Sequence, residues 1–207
     1  DNKEWLDIEK KIELVRPFAK TIHIDVVDGI FAPNTTFADP IPFAQVAKEL
    51  FLEVHLMVDE PIKHLHKWAE AGFRRFIGHV EHMSDQAEFI AEAQLLGEVA
   101  LALDKQTPIE TLQVPLEDLD GLLVMTIQAG LSGQKFEEQL LDKVKQLRAK
   151  TALPIEVDGG INDQTIQVAA AAGATRFVAT SFLFNLETPS HQFGLLQKNL
   201  QALGGKV

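Results

Sequence analysis

Four ionisable residues lie in stretches that otherwise have the apolar composition of buried β-strands. His23 and Asp25 belong to the stretch TIHIDVVDG, His55 belongs to LEVHLMV, and Asp158 belongs to LPIEVDGG. Burial of an unpaired charge is costly, so these side chains are expected to have partners. Two imidazoles and two carboxylates provide the donors that suit Zn²⁺, Fe²⁺, Mn²⁺ or Co²⁺. Together they predict one divalent metal ion, although each residue alone could be a hydrogen-bonded core histidine or a capping aspartate.

The period of a β-strand places His23 and Asp25 on one face, because residues two apart in a strand share a face. Ile22, Ile24 and Val26 then lie on the opposite face, where they can pack on helices. The other two ionisable residues occupy similar positions in later strands. If the strands form a barrel, all four side chains meet at the C-terminal end of its interior, where the active sites of such barrels lie.

An alternation of short apolar runs and amphipathic helical patterns fills the chain. Seven runs have the composition of strands: 21–28, 52–58, 74–80, 98–104, 121–127, 153–160 and 175–181. Their spacing is typical of βα units, which build parallel sheets. No linker or low-complexity tract divides the chain, so residues 1–207 are predicted to form a single domain.

Two α/β architectures fit repeated βα units, a (β/α)8 TIM barrel and an open doubly wound sheet. The sequence begins with a helical pattern whose apolar stripe is formed by Trp5, Ile8, Ile12 and Val15. In a barrel that helix follows a strand. We therefore predict the barrel, with its first strand expected ahead of Asp1 and absent from this sequence.

The composition limits the classes of function. The formal net charge is −11 with acidic and basic residues interspersed, which argues against binding to nucleic acid. The chain has no cysteine, which excludes disulfides and thiol chemistry. No apolar run approaches the roughly 18 residues of a membrane span. The charged start DNKEWLDIEKK lacks the features of a secretory signal. A soluble cytoplasmic protein without a membrane partner is expected.

Five motifs follow one another in the order HIDVVDGIFAPN, VHLMV, HVE, MTIQAGLSGQKF and VDGGI. In order and spacing they resemble the ribulose-phosphate 3-epimerase family, over a span from about Ile22 to Phe184. The resemblance implies that residues 1–207 form a ribulose-phosphate-binding barrel, and it implies a homo-oligomer. It also implies one catalytic divalent metal ion whose ligands are His23, Asp25, His55 and Asp158.

The resemblance further implies an isomerase that converts D-ribulose 5-phosphate to D-xylulose 5-phosphate, with Asp25 and Asp158 as its acid/base pair. The C3 proton of the sugar is adjacent to a ketone, so its removal gives an enediolate that a metal ion can stabilise as a Lewis acid. One carboxylate removes the proton and the other protonates the opposite face, which inverts the centre. Either aspartate can be the base, depending on which sugar is bound.

Further positions match substrate contacts of the family. The methionines lie where sulfur atoms approach the enediolate, although packing is an alternative role for both. The glycines let backbone N–H groups approach a phosphate. The implied substrate-binding residues are Met57, Met125, Gly130, Ser132, Gly133, Gly159, Gly160, Thr180 and Ser181.

The phosphate end departs from the family pattern. Ser132 stands where the family has a glycine, and Thr180 precedes Ser181 where the family has Gly-Ser. Phe182 follows and could crowd a phosphate. Another phosphorylated ketose, such as a hexulose 6-phosphate, is therefore an alternative substrate.

Two functions besides epimerisation must also be weighed. Related decarboxylases and aldolase-like synthases use Asp-x-Lys-x-x-Asp on a strand, and HIDVVDG lacks that lysine, which counts against them. A non-catalytic binding protein on the same scaffold is the second of these functions, because the phosphate loops are altered. His79 and Glu81 of the HVE motif match the family, and either a structural or a catalytic role fits them.

Overall fold

A computed structural model describes residues 3–131, 133–185 and 188–202. It contains seven β-strands: β1 (Thr21–Val27), β2 (Phe51–Met57), β3 (Arg75–His79), β4 (Glu98–Leu103), β5 (Gly121–Met125), β6 (Ile155–Asp158) and β7 (Arg176–Val178). The α-helices are α1 (Trp5–Val15), α2 (Leu65–Glu70), α3 (Gln86–Gln94), α4 (Leu141–Arg148), α5 (Thr165–Ala172), α6 (Ser181–Phe184) and α7 (Pro189–Ala202). Each predicted strand is present within or next to its predicted range.

The strands form one parallel sheet whose spatial order, β1 to β7, is also the order of the chain. A doubly wound sheet would reverse its strand order at a switch point, so the open architecture is wrong. The sheet forms a nearly closed barrel with helices between the strands, and the predicted TIM-barrel class is confirmed. Among the described strands, β1 pairs with β2 alone and β7 pairs with β6 alone.

The larger part of the core lies between the strands and the surrounding helices. Helix α1 buries Ile8, Ile12 and Val15, which belong to its predicted apolar stripe. A group of aromatic rings fills the space beside β2, with Phe43 in edge contact with Phe73 at a centroid distance of 5.4 Å. Since large aromatic side chains bury the most apolar area per residue, this group contributes strongly to the stability of the outer layer.

The other face of each strand points into the barrel and is divided into two regions. One is a small apolar cluster that includes Val27, Met57, Ile77, Leu123 and Met125. The other is polar and contains the predicted site. Within the described residues, no helix is both long and apolar enough to cross a membrane.

Candidate metal centre and active site

The ends of three strands bring the predicted metal ligands together. His23 and Asp25 on β1, His55 on β2 and Asp158 on β6 each present one ligand atom, and these atoms lie within 4.8 Å of one another. Oδ1 of Asp25 is 2.9 Å from Nδ1 of His55 and 3.3 Å from Nε2 of His23. Oδ2 of Asp158 is 3.7 Å from Nδ1 of His55. These side chains form a four-residue cluster.

The parallel register sets the depth of the cluster in the barrel. Asp25 lies opposite His55 in the β1–β2 pair, and Met125 lies opposite Asp158 in the β5–β6 pair. Residues opposite each other in adjacent strands face the same side of a sheet. Asp158 is the last residue of β6, and Asp25 and His55 each lie two residues before the end of their strands, so the cluster lies towards the end of the barrel where catalytic residues are found.

The two carboxylates of the cluster have opposite electrostatic environments. Desolvation acts against the charged form of Asp25, but the interaction with His23 outweighs it and holds the pKa of Asp25 far below its usual range. Burial, followed by repulsion from Asp25, raises the pKa of Asp158 to about 7. Near neutral pH one carboxylate is charged while the other can retain a proton.

His23 connects the cluster to a second layer of charged residues deeper in the barrel. Its Nδ1 is 2.8 Å from Oε1 of Glu53 and 3.2 Å from Oε1 of Glu156. Burial opposes the charged form of His23, but hydrogen bonds to Asp25, Glu156 and Glu53 prevail and raise its pKa well above the usual value. Burial raises the pKa of Glu156.

An arginine balances the charge of this deeper layer. Arg75 donates Nη1 to Oε2 of Glu53 and donates Nε to Oε2 of Glu98 at 2.8 Å. Although burial disfavours the carboxylate, its contacts with His23 and Arg75 lower the pKa of Glu53 to about 2. Glu53 therefore stays charged and holds the imidazole of His23 in place. The sequence does not predict these contacts, because they depend on which strands become neighbours.

His55 has a second partner on its other ring nitrogen. Nε2 of His55 lies 2.8 Å from Nε2 of His79, and Nδ1 of His79 lies 2.9 Å from Oε2 of Glu81. His55 and His79 are fully buried. Glu81 also accepts the backbone N–H of Asp104 at 2.7 Å. The HVE motif is the signal in the sequence that points to this contact, and it leaves the role of both residues open.

A cavity opens at the cluster and extends as far as α1 and α7, with a total volume of about 1030 Å³. Its wall includes His23, Asp25 and Asp158, together with the predicted substrate contacts Met57 and Met125. Both methionines are almost fully buried and also belong to the apolar cluster inside the barrel. One side of the cavity is therefore apolar and the other is charged.

The predicted glycines line the same cavity and have conformations that other residues rarely adopt. Gly130, Gly133, Gly159 and Gly160 have φ values of 78°, 76°, 115° and 68°. A Cβ atom on Gly159 would lie 2.5 Å from Cγ1 of Ile127. The turns favour glycine at these positions because φ is positive there. The absence of a side chain also leaves the backbone open to the cavity.

The remaining predicted contacts have different placements. Thr180 and Ser181 line the cavity beside the glycine loops. Phe182, which we expected to crowd a phosphate, instead packs in the outer core and is 9% exposed. Ser132 lies outside the described residues.

The fold and the cluster together define a barrel enzyme with acidic and imidazole groups at the carboxyl ends of its strands. The model of the ribulose-phosphate 3 epimerase family matches residues 3–184. The chain belongs to this family. Epimerases are isomerases, so the chain is an enzyme of the isomerase class.

Similar proteins agree with this family. The ribulose-phosphate 3-epimerase of Schizosaccharomyces pombe is 34% identical over 204 residues, which cover 95% of this chain and 90% of the relative. The cytoplasmic isoform of Oryza sativa subsp. japonica is 36% identical over 201 residues, which cover 93% and 88%. Among solved structures, KGPDC from Streptococcus mutans has a TM-score of 0.74, and the match covers 95% of this chain and 92% of that one. It is 13% identical to this chain and therefore supports the fold alone.

Proposed function

We propose that this protein catalyses the metal-dependent epimerisation of D-ribulose 5-phosphate to D-xylulose 5-phosphate at C3. The convergence of His23, Asp25, His55 and Asp158 in one cluster, three of whose members line the cavity, is the observation that supports it. The names of the relatives supply the substrate. The proposal extends to one barrel domain over residues 1–207, a homo-oligomer and a cytoplasmic location.

The donor set fits a divalent cation. Ligand atoms at about 2.1 Å from a tetrahedral metal ion lie roughly 3.4 Å from one another. The contacts of Nδ1 of His55 with Asp25 and Asp158, at 2.9 and 3.7 Å, lie on either side of that value. Zn²⁺, Fe²⁺, Mn²⁺ and Co²⁺ all accept this combination of nitrogen and oxygen donors. A metal ion bound here would act as a Lewis acid and lower the energy of the enediolate.

The two aspartates move the protons. Asp25 is charged near neutral pH and removes the C3 proton of one epimer. Asp158, on β6, delivers a proton to the opposite face of the same carbon. In the reverse reaction the two residues exchange roles. Inversion at one carbon requires two acid/base groups on opposite faces, and carboxyl groups on different strands are suited to this arrangement.

The rest of the cavity orients the sugar. Met57 and Met125 cover the reacting carbon with apolar surface and exclude water, which strengthens the electrostatic interactions within the site. Backbone N–H groups of the loops at Gly130, Gly133 and Gly159 bind the phosphate. Thr180, Ser181 and Gly160 complete the proposed phosphate site.

Incorporation of deuterium from the solvent tests this proton-transfer mechanism. We expect ribulose 5-phosphate in D₂O to give xylulose 5-phosphate with deuterium at C3, measured by NMR. Asp25→Asn and Asp158→Asn should each lower kcat by roughly 10²- to 10⁴-fold, with bound metal measured in parallel. Asp142→Asn, on the outside of α4, is the matched control and should keep the wild-type rate. Product without deuterium, or full activity in both site variants, would contradict the proposal.

The altered glycine loop supports a second candidate substrate. Gln134 donates Nε2 to the carbonyl oxygens of Gln128 and Leu131 at 2.8 and 2.7 Å, and Leu131 and Gln134 both line the cavity. Gln128 and Leu131 stand where the family pattern has other residues at the phosphate end. A hexulose 6-phosphate assayed beside ribulose 5-phosphate decides between the two by the ratio of their kcat/KM values.

A further inference from the structure

A buried chain of close polar contacts extends from the four-residue cluster towards β4. It contains Asp25, His55, His79 and Glu81, and its three contacts measure 2.9, 2.8 and 2.9 Å. Both imidazoles are fully buried, and the angle between their ring planes is 24°. We call these four residues the histidine chain. Its two ends are carboxylates, which accept hydrogen bonds and do not donate them.

The number of protons in the histidine chain is smaller than the number of its contacts. Two neutral imidazoles supply two ring protons for three contacts. Glu81 accepts the backbone N–H of Asp104 on Oε1 and faces Nδ1 of His79 with Oε2, so Nδ1 of His79 is the donor there. His79 then accepts on Nε2, and His55 must donate from its own Nε2.

This direction leaves Nδ1 of His55 with a lone pair that faces Oδ1 of Asp25 at 2.9 Å. Two acceptors at this distance repel each other unless a positive charge lies between them. A divalent cation at the four-residue cluster satisfies both atoms. The contact with Glu81 and the cation-binding contact are thus connected through two imidazole rings.

We propose that His79 and Glu81 are positioning residues that keep the proton of His55 on Nε2 and thereby leave Nδ1 free to bind the metal ion. This inference rests on the proposed function, because it concerns a ligand of the proposed metal centre. Such outer hydrogen bonds orient imidazole ligands and fix their tautomers in metal sites generally. His79 and Glu81 do not touch the substrate in this proposal.

Glu81→Gln tests the proposal because it changes the direction of the hydrogen bonds with almost no change of shape. The amide has one acceptor atom, which the N–H of Asp104 occupies, and its NH₂ group then faces Nδ1 of His79. His79 must carry its proton on Nε2, and His55 must accept there. The proton of His55 moves to Nδ1, where it competes with the metal ion.

The first measurement is metal affinity, obtained by competition with a chromophoric zinc chelator. We expect Glu81→Gln to weaken Zn²⁺ binding by roughly 10- to 100-fold. Glu81→Asp, which keeps the carboxylate, should recover part of that loss. Glu137→Gln is the matched control, because Glu137 pairs with Lys105 outside the histidine chain, and it should bind Zn²⁺ as tightly as the wild type.

The second measurement is the tautomer of His79, read from ring ¹⁵N chemical shifts. We expect its proton on Nδ1 in the wild type and on Nε2 in Glu81→Gln. A wild-type His79 protonated on Nε2, or a Glu81→Gln variant with wild-type affinity, overturns the positioning role. If the wild type binds no divalent cation, the metal part of the proposed function fails. The wild-type tautomer is measured without any variant, so the result does not depend on whether Glu81→Gln folds.

Discussion

At the scale of single residues, Asp25 and Asp158 have the same chemical group and opposite protonation preferences. His23 stabilises the charge of Asp25, whereas burial and the charge of Asp25 disfavour the charge of Asp158. This difference arises from neighbours on other strands. The proposed acid and the proposed base thus differ in their position in the barrel and not in their chemical group.

The raised pKa of Asp158 predicts a pH dependence of stability in the metal-free protein. Its pKa is about 7 in the folded chain, and about 3.9 in an unfolded chain. Between these values the folded protein holds a proton that the unfolded protein has released, so the free energy of unfolding falls as pH rises. Asp158→Asn removes this contribution. Urea unfolding measures the free energy of unfolding at about pH 5 and at about pH 8, and its decrease between the two should be smaller for Asp158→Asn than for the wild type. An equal decrease in both proteins would contradict the raised pKa.

The residues of the four-residue cluster could be predicted from the sequence because strand alternation and residue type both identify them. The contacts of His23 with Glu53 and of His55 with His79 could not be predicted in the same way. They depend on the register between strands, which a single sequence does not specify. The role of Arg75 could not be predicted for the same reason, because it depends on the contacts of Arg75 with Glu53 and Glu98 on neighbouring strands.

At the scale of elements, the strands were predictable because each is a short apolar run between polar or glycine residues. The end of α5 was also predictable, since Gly173 follows it with φ of 111°. The short 3₁₀ turns, such as Ile109–Thr111, have no comparable sequence pattern. Loops are less regular than strands, and their conformations depend on the tertiary contacts that surround them.

The glycine loops give a prediction at this scale. Gly159→Ala combines a left-handed backbone with a Cβ at 2.5 Å from Ile127, and should lower the free energy of unfolding by about 2–4 kcal/mol. Gly133→Ala has the same kind of backbone but no atom within 4 Å, so about 1 kcal/mol is expected.

The control for both variants is Gly194→Ala within α7, where nothing lies within 4 Å of the added atom. It should raise stability by about 0.5–1 kcal/mol, because alanine favours the helix. Urea unfolding curves measure all three variants. A cost for Gly159→Ala no greater than that for Gly133→Ala would contradict the close approach to Ile127.

At the scale of the whole molecule, the proposed metal ion should stabilise the fold, because an unfolded chain does not bring β1, β2 and β6 together. A free metal concentration of about 100 times Kd contributes about 2.7 kcal/mol. For a chain of this size the melting temperature should rise by roughly 5–10 °C over the chelated protein. Calorimetry with and without EDTA measures this shift. Asp25→Asn should show almost none of it, and an equal shift in that variant would place the cation elsewhere.

The distribution of the four ligands over three strands has a consequence for how the molecule opens. β1 supplies both His23 and Asp25, while their partners His55 and Asp158 lie on β2 and β6. Separation of β1 from β2 therefore divides the ligand set into two halves. A cation bound by all four residues would cross-link strands that are far apart in the sequence, and local opening of this part of the sheet would require its release.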